Sequence, residues 1–207
     1  MKRILLVILS VMIALYLSGC REKTKEEEFN DIQKTLNSVM TYTCEADITV
    51  KGNKSSKSFK AKHMFKNPNK YIAEIIEPKE NEGNKTVYNG KQAYLHNKQI
   101  NQHTILKDFE ISGEEMLFIG YFLKNLNTTE EVTIGIDKID EKDYLTIEVD
   151  IPGNNKHRKY ERLWVDKKTH IPYKLVIFDD KNNEVVKVIY KDVEYNVDIQ
   201  DEKFTIK

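Results

Sequence analysis

Residues 161–206, "ERLWVDKKTHIPYKLVIFDDKNNEVVKVIYKDVEYNVDIQDEKFTI", decide the fold. Short runs rich in β-branched and aromatic residues alternate in period two and are parted by Thr, Asp and Asn, which reverse a backbone cheaply. Strands are predicted over about 157–166, 171–179 and 183–192, with a short one at 203–206. Consecutive hairpins make the sheet antiparallel. Two of these strands are apolar on both faces: Tyr173, Leu175 and Ile177 oppose Val176 and Phe178, and Val185 and Ile189 oppose Val186, Val188 and Tyr190. A sheet wetted on its outer face alternates cleanly, so something covers the second face here. The cover is either the chain's own loops or helix, or a partner or second copy. In the latter case Val176, Phe178, Val186, Val188 and Tyr190 are the candidate partner surface.

The same pattern runs through the rest of the chain. Strands are predicted near 41–51, 57–66, 70–77, 84–89, 91–97 and 99–106, then near 130–138 and 142–151. Asn89-Gly90, set between two alternating runs, is a strong hairpin signal. Cys44 falls on the apolar side of "TYTCEADITV" (41–50) and reads as a small core residue, the sharper alternative being an intermolecular disulfide or reactive thiol. A sheet of about eleven strands is too wide to stay open without strong curling. Two helices are available to fill it, so the predicted class is α+β, a curled antiparallel half-barrel with both helices on its concave face.

The first helix is read from Phe29, Ile32, Leu36, Val39 and Met40, which line one side of about three turns. The second is predicted over 113–126, opened by a capping box of Ser112 and Glu115. Residues 116–123 carry no charge and are apolar nearly all round. Such a helix is core packing, a wedge between the sheet and a second body, or a lid over a cavity for a greasy ligand. Met116, Phe118, Tyr121 and Phe122 are the cavity or plug candidates.

At the N-terminus, Lys2 and Arg3 precede an apolar run over 4–17, too short for a comfortable membrane span. The sequence Leu17-Ser18-Gly19-Cys20 resembles a bacterial lipobox. It divides the chain into a signal peptide (1–19), a lipidated charged tether (20–28) and a single domain (29–207), with diacylglyceryl Cys20 as the membrane anchor outside the cytoplasm. With Cys20 acylated, Cys44 has no partner within the chain.

The chain holds 33 Lys plus Arg against 33 Asp plus Glu, and loss of residues 1–19 removes two basic residues and no acidic one. No basic stripe stands out, which argues against nucleic-acid binding. Nucleophile elbows, phosphate loops, zinc-protease motifs and Cys-x-x-Cys are missing from the sequence. His96 and His103 can approach across a hairpin but lack a carboxylate companion, and Asp179-Asp180 reads as a turn. No catalytic residue, metal or cofactor is therefore expected.

Order, more than any single motif, points to a family. Trp164 and Asp166 at a strand end, Thr169 and Pro172 in the next turn, long strands around Leu175 and Val188, and a closing Asn196…Phe204 segment resemble the C-terminal half of the LolA/LolB/RseB-type lipoprotein-carrier fold. "KHMFKNPNKYIAEIIEP" (62–78) and "VYNGKQAYLHN" (87–97) are similar to its N-terminal half. The resemblance implies a half-barrel plugged by helices, whose cavity in the carriers holds acyl chains. Within that fold the size, lipobox and composition look most like the clostridial germination lipoproteins of the GerS type. That likeness implies a non-enzymatic, membrane-anchored protein that binds and activates a spore-cortex N-acetylmuramoyl-L-alanine amidase. Separately, an edge strand that pairs with another copy of the chain would make a homodimer. The alternative is a lipid or lipoprotein carrier or receptor using the cavity under residues 113–126.

Overall fold

The computed structural model describes residues 21–52, 55–107, 113–153 and 155–205. Cys20, the apolar run before it and Ser112 lie outside these residues. No helix among the described residues is long and apolar enough to cross a membrane.

Eleven strands form one antiparallel sheet. They are β1 (Thr41–Lys51), β2 (Ser56–Lys66), β3 (Lys70–Glu77), β4 (Lys85–Tyr88), β5 (Ala93–Asn97), β6 (Gln102–Leu106), β7 (Thr133–Ile139), β8 (Lys142–Asp150), β9 (Tyr160–Asp166), β10 (Pro172–Phe178) and β11 (Glu184–Tyr195). The spatial order is β6-β5-β4-β3-β2-β1-β11-β10-β9-β8-β7. Two meanders thus run outward from a central seam where the first strand pairs with the last. Helix α1 (Lys25–Asn37) precedes the sheet, and α2 (Ile119–Leu126) links the two meanders.

One core cluster joins Ile32 and Leu36 of α1, Phe122 and Leu126 of α2, and inward residues of β1, β2, β3 and β8 to β11. Strands so far apart in the sheet share a core because the sheet curls around both helices, as the width of the sheet demands.

Several predicted boundaries move. Helix α1 starts one turn before Phe29: Thr24 accepts from the Glu27 N–H at 3.2 Å and Glu27 accepts from the Thr24 N–H at 2.9 Å, a complete capping box. Lys25–Glu28, read as tether, are therefore its first turn, and Met40 lies past the helix end and is exposed. β11 runs three residues beyond the predicted end because a bulge intervenes. The register slips between Thr43 and Glu45, and Asp192 opposite takes a left-handed φ of 49°. One inserted residue reverses side-chain parity, so Val193 and Tyr195 continue on the core face after Tyr190. A register shift between Pro172 and Lys174 likewise moves Tyr173 to the outer face, against Tyr144.

The predicted strand at 203–206 is instead a 3-10 turn, Asp201–Phe204, ending a strap across the outer face of the N-terminal half. The strap begins at Asn196, whose side chain accepts from the Met40 N–H at 2.8 Å and whose N–H donates to Thr41 O at 2.7 Å. Ile199 and Phe204 then bury against Ile72 and Val87. Lys66 and Lys70 reach Asp201 at 3.0 and 2.9 Å. Phe204→Ala is expected to cost about 3–5 kcal/mol in denaturant unfolding, the usual price of emptying a buried aromatic site. Lys70→Ala, which loses a partly exposed ion pair, should cost about 1 kcal/mol or less.

Candidate functional site

The candidate site lies where the 115–126 segment meets the sheet. Glu115–Leu117 form a 3-10 turn and α2 starts only at Ile119, so the predicted helix is shorter and its cap is not local. The cap comes from β1: the Tyr42 hydroxyl accepts from the Ile119 N–H at 2.9 Å. From β11, the Tyr190 hydroxyl donates to Leu117 O at 2.9 Å. From β9, Glu161 accepts from Asn125 Nδ2 at 2.7 Å. Burial pushes both tyrosine hydroxyls well above their ordinary range. Burial also raises Glu161, fully buried, to about 8, so it is largely a neutral acid at neutral pH.

Close packing completes the attachment. A Cβ on Gly120 would sit 2.1 Å from the Phe65 ring, so only glycine lets α2 lie on that ring. Phe118 stacks on His63 with centroids 4.1 Å apart and tilts on Tyr71 at 4.6 Å. His63 is buried, pushed down to about 3 by desolvation, and therefore neutral. Of the candidates, Phe118 and Phe122 are buried in the core, whereas Met116 and Tyr121 are half-buried at its margin. Met116 receives Arg158 at its sulfur. Geometrically, the segment is a plug fixed at three polar points.

The candidate partner surface is redistributed. Val186, Val188 and Tyr190 face the main core and offer no surface. Val176 and Phe178 are also buried, on the outer face beside Tyr144 and Trp164. Their cover is the chain itself: the Lys174 ammonium sits 3.8 Å from the Trp164 ring centroid, and the Arg162 guanidinium sits 5.3 Å from that of Phe178. Trp164 donates to Asp137 at 2.8 Å, and Arg162 pairs with Glu148. Among the described residues, four of the six exposed large apolar side chains lie instead on the β5–β6 hairpin, at Leu95, Ile100, Ile105 and Leu106, the other two being Met40 and Ile136. The uncharged stretch "INQHTIL" (100–106), read only as a strand, was the available signal.

The remaining candidates resolve simply. Cys44 is buried and its thiol is pushed up by desolvation, as befits a core residue. His96 and His103 are direct cross-strand neighbours, and among the described residues no group of three or more His, Cys, Asp or Glu could hold a metal ion. Asp179 accepts from the N–H groups of Lys181 and Asn183 and is a turn former.

Two predictions concern the plug. Tyr42→Phe should cost about 1–3 kcal/mol by orphaning the first N–H of α2, seen as a lowered urea midpoint with an unchanged slope. Glu161 binds its proton in the fold up to about pH 8 but at 4.5 when unfolded. Between those values the folded state holds more protons, so stability falls as pH rises, by about 1.4 kcal/mol per unit, and levels off above. Melting curves of Glu161→Gln, which keeps the bond from Asn125, should lack that part of the slope.

Comparison with known proteins agrees with this architecture. The GerS lipoprotein of Clostridioides difficile, solved in complex with the CwlD amidase, is 32% identical, with 86% of this chain and 99% of that chain covered and a TM-score of 0.51. An uncharacterized conserved protein from Thermus thermophilus shares the fold, with a TM-score of 0.54 over 88% of this chain and 93% of its own, at 14% identity. An uncharacterized protein of Methanocaldococcus jannaschii is 25% identical over 97% of this chain, which spans only 56% of that relative's length. A family profile described as sporulation protein YdcC-like matches residues 1–204, and the chain therefore belongs to the YdcC-like sporulation protein family.

Proposed function

We propose that the protein is a non-catalytic, membrane-anchored adaptor that binds an N-acetylmuramoyl-L-alanine amidase and activates it in the breakdown of spore cortex. The observation that carries this reading is the 32% identity to GerS, a lipoprotein held in a complex with an amidase, across nearly all of that chain. Membership of a sporulation family supports the setting. The anchor is diacylglyceryl Cys20, and the domain proper follows the charged stretch after it. Self-pairing into a homodimer is compatible with the open β6 edge, each residue of which is exposed.

The alternative, a lipid or lipoprotein carrier with acyl chains under residues 113–126, needs empty volume beneath α2. Phe118, Ile119, Phe122 and Leu126 pack into the core on that side, each no more than 3% exposed. The adaptor reading requires no such volume and is preferred.

The test is reconstitution with the N-acetylmuramoyl-L-alanine amidase of the same organism. Native mass spectrometry should record a discrete complex of fixed stoichiometry, and hydrolysis of purified cortex peptidoglycan should rise saturably as this protein is added. Unchanged hydrolysis together with no complex at micromolar concentrations would sink the proposal. Lipid-sized adducts beyond the Cys20 anchor, without a companion protein, would return the argument to the carrier.

A further inference from the structure

The two edges of the sheet are not alike. β7 carries Asp137 and Lys138, and α1 packs on it. Charges and a covering helix are ordinary means of closing an edge against stray strands. β6 has neither: Gln102–Leu106 is uncharged, every residue is exposed, and among the described residues no strand lies beyond it. Ile105 and Leu106 are exposed there, with Leu95 and Ile100 on the same hairpin.

The charge around this edge is one-sided. Residues 83–107 hold four lysines and two histidines but no Asp or Glu, in a chain whose totals of acidic and basic residues are equal. Among the described residues only Lys85 of these lysines makes an ion pair, with Glu74 of β3 at 3.4 Å.

Register shows what the edge lacks. On the outer face one row of directly opposed residues crosses seven strands: Lys191 of β11, Glu45 of β1, Lys62 of β2, Glu74 of β3, Lys85 of β4, His96 of β5 and His103 of β6. As far as Lys85 the sign alternates at every step, the arrangement that favours cross-strand pairing. Alternation then stops. Two histidines follow, and the row reaches the edge with a ring that carries an N–H donor in either protonation state. The neighbouring row, Ile72, Val87, Tyr94 and Ile105, is apolar throughout; the strap covers its first two members and leaves Ile105 in the open.

A strand laid antiparallel on β6 would extend both rows. Continuing them asks for a carboxylate opposite His103 and, two residues away on the same face, an apolar side chain opposite Ile105. A second copy of β6 cannot meet that demand, because an antiparallel partner drawn from residues 99–107 has no acid to offer in any register.

We propose that β6 is a docking edge for an acidic, extended segment of a partner protein, which adds to the sheet with a carboxylate opposite His103 and an apolar residue opposite Ile105. Main-chain hydrogen bonds would hold such a segment whatever its sequence, and the two rows select among sequences. The lysines of the hairpin add an attraction that salt screens. The docking edge does not depend on the amidase reading. Amidase activation by a chain whose edge takes no acidic strand would cost only this proposal, and an edge that takes one without any amidase would cost only the other.

The full-length chain in phosphatidylcholine nanodiscs is exchanged into deuterated water with and without millimolar acetyl-Ser-Val-Val-Thr-Glu-Thr-Ser-amide, and mass spectrometry reads the amides of residues 101–107. Exchange there should slow at least threefold, with the rest of the chain unchanged. The same peptide with lysine in place of glutamate should protect at least threefold less, and the difference should shrink as salt is raised. His103→Glu, at an exposed position, should keep the slow exchange of β1 and β11 and reverse the preference in favour of the lysine peptide. Equal protection by the two peptides overturns the proposal, as does no protection of 101–107 by either or an unreversed preference in folded His103→Glu. Protection of 101–107 that grows with the chain's own concentration, and that the peptide does not displace, assigns the edge to a second copy and overturns it as well.

Discussion

The seam between β1 and β11 makes one protein out of two meanders. β1 is 11 residues long and β11 is 12, and they pair from Tyr42↔Tyr195 to Val50↔Val186. Neither half could close a core alone. The N-terminal meander contributes small and aromatic inward residues such as Ala46, Ala61 and Phe65, and the C-terminal one contributes branched aliphatics such as Leu163, Leu175 and Val188. Joined at the seam, they present one continuous trough, and both helices bury their apolar sides in it. Tyr42 and Tyr190, the two hydroxyls that hold the 115–126 segment, stand on the two seam strands. The position of the plug is thus a consequence of the strand pairing beneath it.

That plug combines two kinds of interaction. Burial of Phe118, Phe122 and Leu126 supplies the driving force, at about 1.5–3 kcal/mol for each large side chain removed from water. The buried hydrogen bonds add little net stability but specify one placement, because any slip of the segment would leave Tyr42, Tyr190 or Glu161 desolvated without a partner.

Much of the fold was legible because it is written in local period. The eleven strands that form the sheet, the Asn89-Gly90 hairpin and both helices follow from alternation, turn chemistry and apolar spacing. What escaped depends on contacts distant in sequence or on local signals that compete. The cap of α2 is a tyrosine hydroxyl 77 positions upstream, which no window around Ile119 contains. The start of α1 was available as Thr24-x-x-Glu27 but lay inside a charge run that reads equally as tether. The continuation of β11 was hidden by the parity flip at Asp192, which resembles a strand ending. Apolar residues on both faces of β10 and β11 show that a strand is covered, and not by what. Here Lys174 and Arg162 provide the cover of Val176 and Phe178, and no local pattern in the sequence assigns them to it.

The strap and the seam also order events in time. Met40 is tied to Asn196 across 156 positions, and the central strand pair cannot form before the last strand exists. Contacts of such long sequence separation make folding slow, since the chain must close a large loop before the pairing rewards it. During synthesis β1 has only β2 as a neighbour, and its other edge stays open until the C-terminal residues emerge. A nascent chain of this topology therefore cannot complete its sheet or its shared core until its last strand arrives. That is the state in which a polypeptide can still be threaded through a narrow channel, and arrival of the final strand ends it.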